Sequence, residues 1–223
     1  TYGYEVSAEV VRDGKTLVQT IGTPMQSGND ATHFARPTDI AWLPDGTFFV
    51  SDGYTNTRVV KFSPEGKYLT SWGTSSEGKA NPGPNEMHTV HSVAVGRDRK
   101  VYVSDRTNSR IQIFDENGKF LDMWTNIRRP YHVLMSRDQF LWVSDGETHK
   151  MLKYDLTGKF LYGWGTFGPM AGRFNGVHQF SVDQENNLYT AEVFNGRAQK
   201  FRPRKGADPA KLTGQELRHG ALW

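Results

Sequence analysis

The sequence predicts an all-β protein, a β-propeller with four-stranded antiparallel blades, and three observations carry that prediction. A unit recurs along the chain at intervals that suit a blade. Its segments are short, rich in Val, Ile, Phe, Tyr and Trp, and divided by turn residues, with few helix signals. The copies also share an internal mark: Ser51-Asp52, Ser104-Asp105, Ser144-Asp145 and, more weakly, Ala191-Glu192. The acids stand at 52, 105, 145 and 192, giving intervals of 53, 40 and 47 residues. Four-stranded propeller blades typically take about 40–50.

Taken in order, the chain reads as a single domain. Residues 1–22 match the third and fourth strands of a blade, a half blade turning at Asp13-Gly14-Lys15. Blades follow at 33–73, 88–125, 128–165 and 175–212, and 213–223 is a C-terminal tail too short for two more strands. Four blades and about half of another are visible. An open arc of blades would leave sheet edges exposed, so further N-terminal sequence is expected in the native propeller. The turns fall where a blade needs them. Pro44-Asp45-Gly46 and Glu185-Asn186-Asn187 separate first and second strands; Pro64-Glu65-Gly66, Glu116-Asn117-Gly118 and Leu156-Thr157-Gly158 separate third and fourth. Gly supplies a positive φ there, and Asn or Asp tolerates it. Trp72, Trp124 and Trp164 end the fourth strands and are expected as core between blades.

Composition removes several functional classes. The 223 residues contain no cysteine, which excludes disulfides, thiolate metal sites and a cysteine nucleophile. Net charge is +3, with a sequence pI near 9.0. The one notable basic run, Arg202-Pro203-Arg204-Lys205, reads as a solvated tail, so nucleic acid is not expected as a partner. No apolar stretch approaches the ~20 residues of a membrane span.

In such a blade the loop leading into the first strand and the loop joining the second and third share one rim. That rim collects the unusual residues. The leading loops bring His91, His132 and His178, each near the start of an innermost strand lining the central channel. Three imidazoles with an open fourth position form a catalytic zinc arrangement. His33 and His88 lie further from the strand starts and are set aside. The middle loops bring Tyr54 and Arg106. Arg58 stands six positions after Asp52, whereas Arg110, Lys150 and Arg197 stand five after their acids, and the longer first loop carries Tyr54. The repeated acid–base pairs read as loop staples.

Thr32-His33-Phe34-Ala35-Arg36-Pro37-Thr38-Asp39-Ile40, followed by Ser51-Asp52-Gly53-Tyr54-Thr55-Asn56-Thr57-Arg58, resembles the NHL-repeat six-bladed propellers, and more narrowly the peptidyl-α-hydroxyglycine α-amidating lyase family. The resemblance runs through Val90-His91-Ser92-Val93-Ala94 and Ser104-Asp105-Arg106; it is close from about 22 to 114 and looser to about 201. It implies a zinc ion held by three His, a Tyr proposed as base, and arginines at the substrate. By position, Tyr54 matches the tyrosine, Arg106 an arginine, and His91 and His178 two zinc ligands; the third family His falls upstream of Thr1, and His132 has no family counterpart. Family cysteines are replaced in pairs, at Ala35 with Thr55 and at Tyr102 with Ile113. Gln179 stands where the family has an acid, which counts against the family's calcium site.

The leading expectation is therefore a zinc-dependent carbon–nitrogen lyase. It would take a small-molecule or peptide substrate at the channel mouth, work as a monomer and reside outside the cytoplasm, extracellular or periplasmic. The alternative is a non-catalytic NHL propeller binding a protein or RNA through its rim. A lactonase-type hydrolase would need an acidic calcium set that the strand starts do not show.

Overall fold

The computed structural model describes residues 8–12 and 16–217, and is all-β apart from one short 3-10 helix. A two-stranded hairpin comes first, β1 (Ala8–Arg12) and β2 (Thr16–Ile21). Its expected turn at 13–15 lies outside the described residues. The first blade is β3 (Pro37–Trp42), β4 (Phe48–Asp52), β5 (Arg58–Phe62) and β6 (Tyr68–Trp72). Two parallel residue pairs, β7 (Thr74–Ser75) and β8 (Glu86–Met87), clip the connecting loop. The second blade is β9 (Val90–Val95), β10 (Val101–Asp105), β11 (Arg110–Phe114) and β12 (Phe120–Trp124). The third is β13 (Pro130–Met135), β14 (Leu141–Asp145), β15 (Lys150–Tyr154) and β16 (Phe160–Trp164). The last sheet is β17 (Val177–Val182), β18 (Leu188–Glu192) and β19 (Arg197–Phe201). Every sheet of three or four strands is an antiparallel meander in chain order.

Among the described residues the last sheet has three strands, where four were expected. Pro203 cannot donate to a ladder, and the polar stretch around it turns away. Asp208 then caps the 3-10 helix Pro209–Lys211 by accepting from the Ala210 N–H. The segment beyond straps the third blade's outer rim: Leu217 N–H donates to the Met135 carbonyl at 2.7 Å and Lys153 Nζ to the Ala210 carbonyl at 3.0 Å.

The core lies between blades. One cluster joins Phe49, Val59 and Trp72 to Val93, Val103 and Phe114; the next joins Tyr102, Ile111 and Trp124 to Val133, Val143 and Tyr154; a third joins Trp142 and Met151 to Phe174 and Phe180. Middle strands are therefore covered on both faces, and every residue of β4, β5, β10, β11 and β14 is buried. Each fully buried large apolar side chain contributes about 1.5–3 kcal/mol. The tryptophans take the expected places. A Cβ at Gly118 would fall 2.7 Å from Trp72, and one at Gly158 would fall 2.6 Å from Trp124, so each indole lies flat beneath the next blade's hairpin.

A staple fixes the inner rim in every blade. The acid ending the second strand accepts from a backbone N–H of the leading loop 17 residues earlier: Asp52 from Ala35, Asp105 from His88, Asp145 from Arg128, Glu192 from Asn175. Arg58, Arg110 and Arg197 pair with three of these acids at 2.9, 2.6 and 3.1 Å and reach on to leading-loop carbonyls. In the third blade Lys150 is exposed, and Asp145 also accepts from the Glu147 and Thr148 N–H groups.

Candidate active site at the channel mouth

Each innermost strand carries a β-bulge at the same point. The register of β3, β9, β13 and β17 slips so that Thr38, His91, Tyr131 and His178 have no partner on the second strand. A bulge bends its strand and re-aims the extra side chain. Here three of the four bulged residues turn their rings to one another. The Thr38 hydroxyl instead donates to the Val90 carbonyl at 2.9 Å, tying the first blade to the second.

His91 is 1 % exposed, and its Nδ1 lies 2.6 Å from the Tyr131 carbonyl oxygen. A carbonyl only accepts, so Nδ1 carries the proton and Nε2 of the neutral ring presents a lone pair. Nε2 lies 3.0 Å from His178 Nε2 and 2.8 Å from Tyr54 Oη; Tyr54 Oη is also 3.2 Å from His178 Nε2. Arg106 Nη1 donates to the same phenol oxygen at 3.2 Å. The phenol thus accepts from a guanidinium and donates to an imidazole. Burial pushes His91 down to about 3, with the charges of His178 and Arg106 acting the same way and the Tyr131 carbonyl opposing. Burial, then Arg106, lowers His178 as well. Both rings are neutral at pH 7, and the His91 Nε2 lone pair faces Tyr54 Oη and His178 Nε2, where an electrophile could meet it.

Local backbone explains why Tyr54 reaches this cluster. It sits at φ 63° in the lengthened loop. The preceding Gly53 lies so close to the second blade that a Cβ would fall 1.7 Å from the Val90 carbonyl oxygen. No other residue fits there, and the close approach delivers Tyr54 to His91, one residue beyond Val90.

The structure brings Tyr54, His91, Arg106 and His178 together and places His132 one layer deeper. His132 is aligned with Asp39, Ser92 and Gln179, each one residue past a bulge. Its Nε2 is 3.6 Å from Asp39 Oδ2, and its ring packs edge-on against Phe180. Ser92 Oγ donates to the same Asp39 oxygen at 2.5 Å. Burial pushes Asp39 up to about 6 and His132 down to about 3. The equivalent of the two rim histidines in the third blade is Tyr131. A spacing carried that signal: His91, Tyr131 and His178 each stand 14 residues before Asp105, Asp145 and Glu192, while His132 stands 13 before Asp145. Among the described residues no group of three His, Cys, Asp or Glu side chains converges as a metal set.

Residues 88–114 match the NHL repeat family model. Over 110 residues the chain is 46 % identical to the peptidyl-glycine α-amidating monooxygenase of Mus musculus, covering 48 % of this chain and 11 % of the mouse protein. Over 105 residues it is 36 % identical to a probable peptidyl-α-hydroxyglycine α-amidating lyase of Caenorhabditis elegans, covering 46 % of this chain and 29 % of that one. The chain is an NHL-type β-propeller resembling the amidating lyases. It spans less than a third of the length of either relative. A crystal structure of a protein of unknown function from Bacteroides caccae shares the fold, with a TM-score of 0.59 at 14 % identity, covering 85 % of this chain and 65 % of that one. No helix among the described residues is long and apolar enough to cross a membrane.

Proposed function

We propose that this propeller is a lyase of the amidating type, cleaving the C–N bond of a peptidyl-α-hydroxyglycine to leave an amide and glyoxylate. The observation that carries the reading is the position of Tyr54 Oη, within 3.2 Å of two imidazole nitrogens and a guanidinium at one channel mouth. The likeness to an amidating monooxygenase and a probable amidating lyase supports the same substrate class. Clustered neutral histidines beside a phenol favour catalysis over a rim that only binds a protein or RNA.

In this mechanism Arg106 presents its guanidinium to the substrate carboxylate, for which a planar fork of N–H groups is suited. Tyr54 relays the proton: its phenol oxygen takes the proton of the α-hydroxyl as its own passes on towards the leaving nitrogen. The electrons of that O–H bond form the C=O bond of glyoxylate as the C–N bond breaks, and the proton goes to the departing amide nitrogen. Atoms and electrons balance without an oxidant. The His91 and His178 Nε2 atoms fit a zinc site: the two rings are neutral, their Nε2 atoms lie 3.0 Å apart, and His91 is fixed in its tautomer by a backbone carbonyl. Bound there, zinc supplies Lewis-acid polarisation of the substrate oxygen. His91 and His178 are two ligands of that set; calcium is not proposed, because Gln179 supplies no carboxylate.

Metal analysis of the full-length protein tests this reading. It predicts one zinc per chain, lost in the His91→Ala, His178→Ala double variant together with activity. Metal-free protein with unchanged activity contradicts it.

A further inference from the structure

We infer that Tyr131 is the positioning residue of this site, holding His91, His178 and Arg106 in one arrangement; the inference rests on the proposed lyase reading for its catalytic consequence. Four observations carry it. Tyr131 is the bulged residue of the blade between those of His91 and His178, and its ring packs beside both imidazoles, with centroids 5.4 Å from His91 and 5.3 Å from His178. Its carbonyl accepts the His91 Nδ1 proton. The Arg106 guanidinium carbon lies 5.1 Å from the centroid of the Tyr131 ring and 5.1 Å from that of Tyr54, a cation between two aromatic faces. The ring itself is walled in, since a Cβ at Gly146 would fall 1.7 Å from Tyr131 Cε2.

Tyr131 is 5 % exposed, yet it joins none of the four apolar clusters among the described residues. A core-filling aromatic packs on aliphatic neighbours, whereas this ring spends its faces and edges on two imidazoles and a guanidinium. Removing it leaves the guanidinium with one aromatic face and takes away one of the rings packed beside His178. The arrangement around Tyr54 then loosens while the sheet stays paired.

The test compares the wild type with Tyr131→Phe, which keeps the ring, and Tyr131→Leu and Tyr131→Met, which do not. Three readouts apply: solvent-exchange protection of the His91 Nδ1 proton by NMR in zinc-free full-length protein, zinc affinity by chelator competition, and kcat and KM on an N-acyl-α-hydroxyglycine. Tyr131→Phe is expected to match the wild type. The ringless variants are expected to keep the melting temperature within a few degrees, lose the proton's protection at least ten-fold, weaken zinc about ten-fold and lower kcat more than they raise KM. A folded Leu or Met variant with wild-type protection and wild-type zinc affinity overturns the inference and leaves the lyase reading standing. Loss of protection in a protein whose wild type binds no zinc and makes no glyoxylate supports the inference and overturns the lyase reading.

Discussion

At the scale of single residues, the site depends on a phenol held between opposite partners. Tyr54 is 43 % exposed and contributes little to the core. Tyr54→Phe is therefore expected to lower kcat by about 10²–10⁴-fold at an unchanged melting temperature, a split visible by steady-state kinetics beside calorimetry. The buried imidazoles give a second prediction. In the unfolded chain His91 and His132 take up protons below about 6.5, whereas the folded protein keeps both neutral down to about 3. The unfolded state binds more protons across that window, so stability rises with pH there and is lost as the pH falls from about 6.5 towards 3. Asp39 acts oppositely between 3.8 and about 6, because the folded state favours its protonated form. His178, lowered as well, adds to the histidines and Asp52, raised by burial, adds to Asp39; Asp45, Glu116 and Asp183, each held down to about 2, also lose stability below about 4, so acid destabilises. Urea midpoints of zinc-free protein should fall through that window, and a flat profile contradicts the account. Tyr54, Arg106, His91 and His178 were legible because they break or punctuate the repeat. His132 was misplaced because the bulge adds one residue to each innermost strand, and a shift of one residue changes the layer a side chain occupies.

At the scale of elements, the staple between leading loop and middle loop holds the rim. Asp105 is fully buried and accepts from His88 N–H, Asn108 and Arg110. Removing it leaves the Arg110 guanidinium, itself 4 % exposed, without its charge partner. Asp105→Ala is expected to cost about 3–5 kcal/mol by urea denaturation, with Asp145→Ala costing less because Lys150 is solvated. The acid–base spacing made these staples readable in the sequence. The bond from each acid to the backbone 17 residues earlier was not, since any residue type can offer an N–H. That 202–212 forms no fourth strand was hidden by its spacing: it has the length of a strand and its turn, and only Pro203 and the cap at Asp208 argue otherwise.

At the scale of the whole molecule, the blades are bound by what lies between them. Trp124 is 5 % exposed and packs under the Gly158 hairpin between the second and third blades. Trp124→Ala should cost about 3–5 kcal/mol, and should also reduce activity, because His91 and Tyr131 belong to the two blades it joins. Repeat length, turns and aromatic endings made the propeller readable, since each blade meets the same packing problem. The activity proposed for the channel mouth is cleavage of a hydroxyglycine C–N bond. Its most direct test is glyoxylate release from an N-acyl-α-hydroxyglycine by zinc-supplemented full-length protein. The account predicts glyoxylate and amide in equal amounts, abolished in the His91→Ala, His178→Ala double variant and reduced at least 100-fold by Tyr54→Phe. Folded, zinc-supplemented protein that releases no glyoxylate, or release that survives these substitutions, would contradict it.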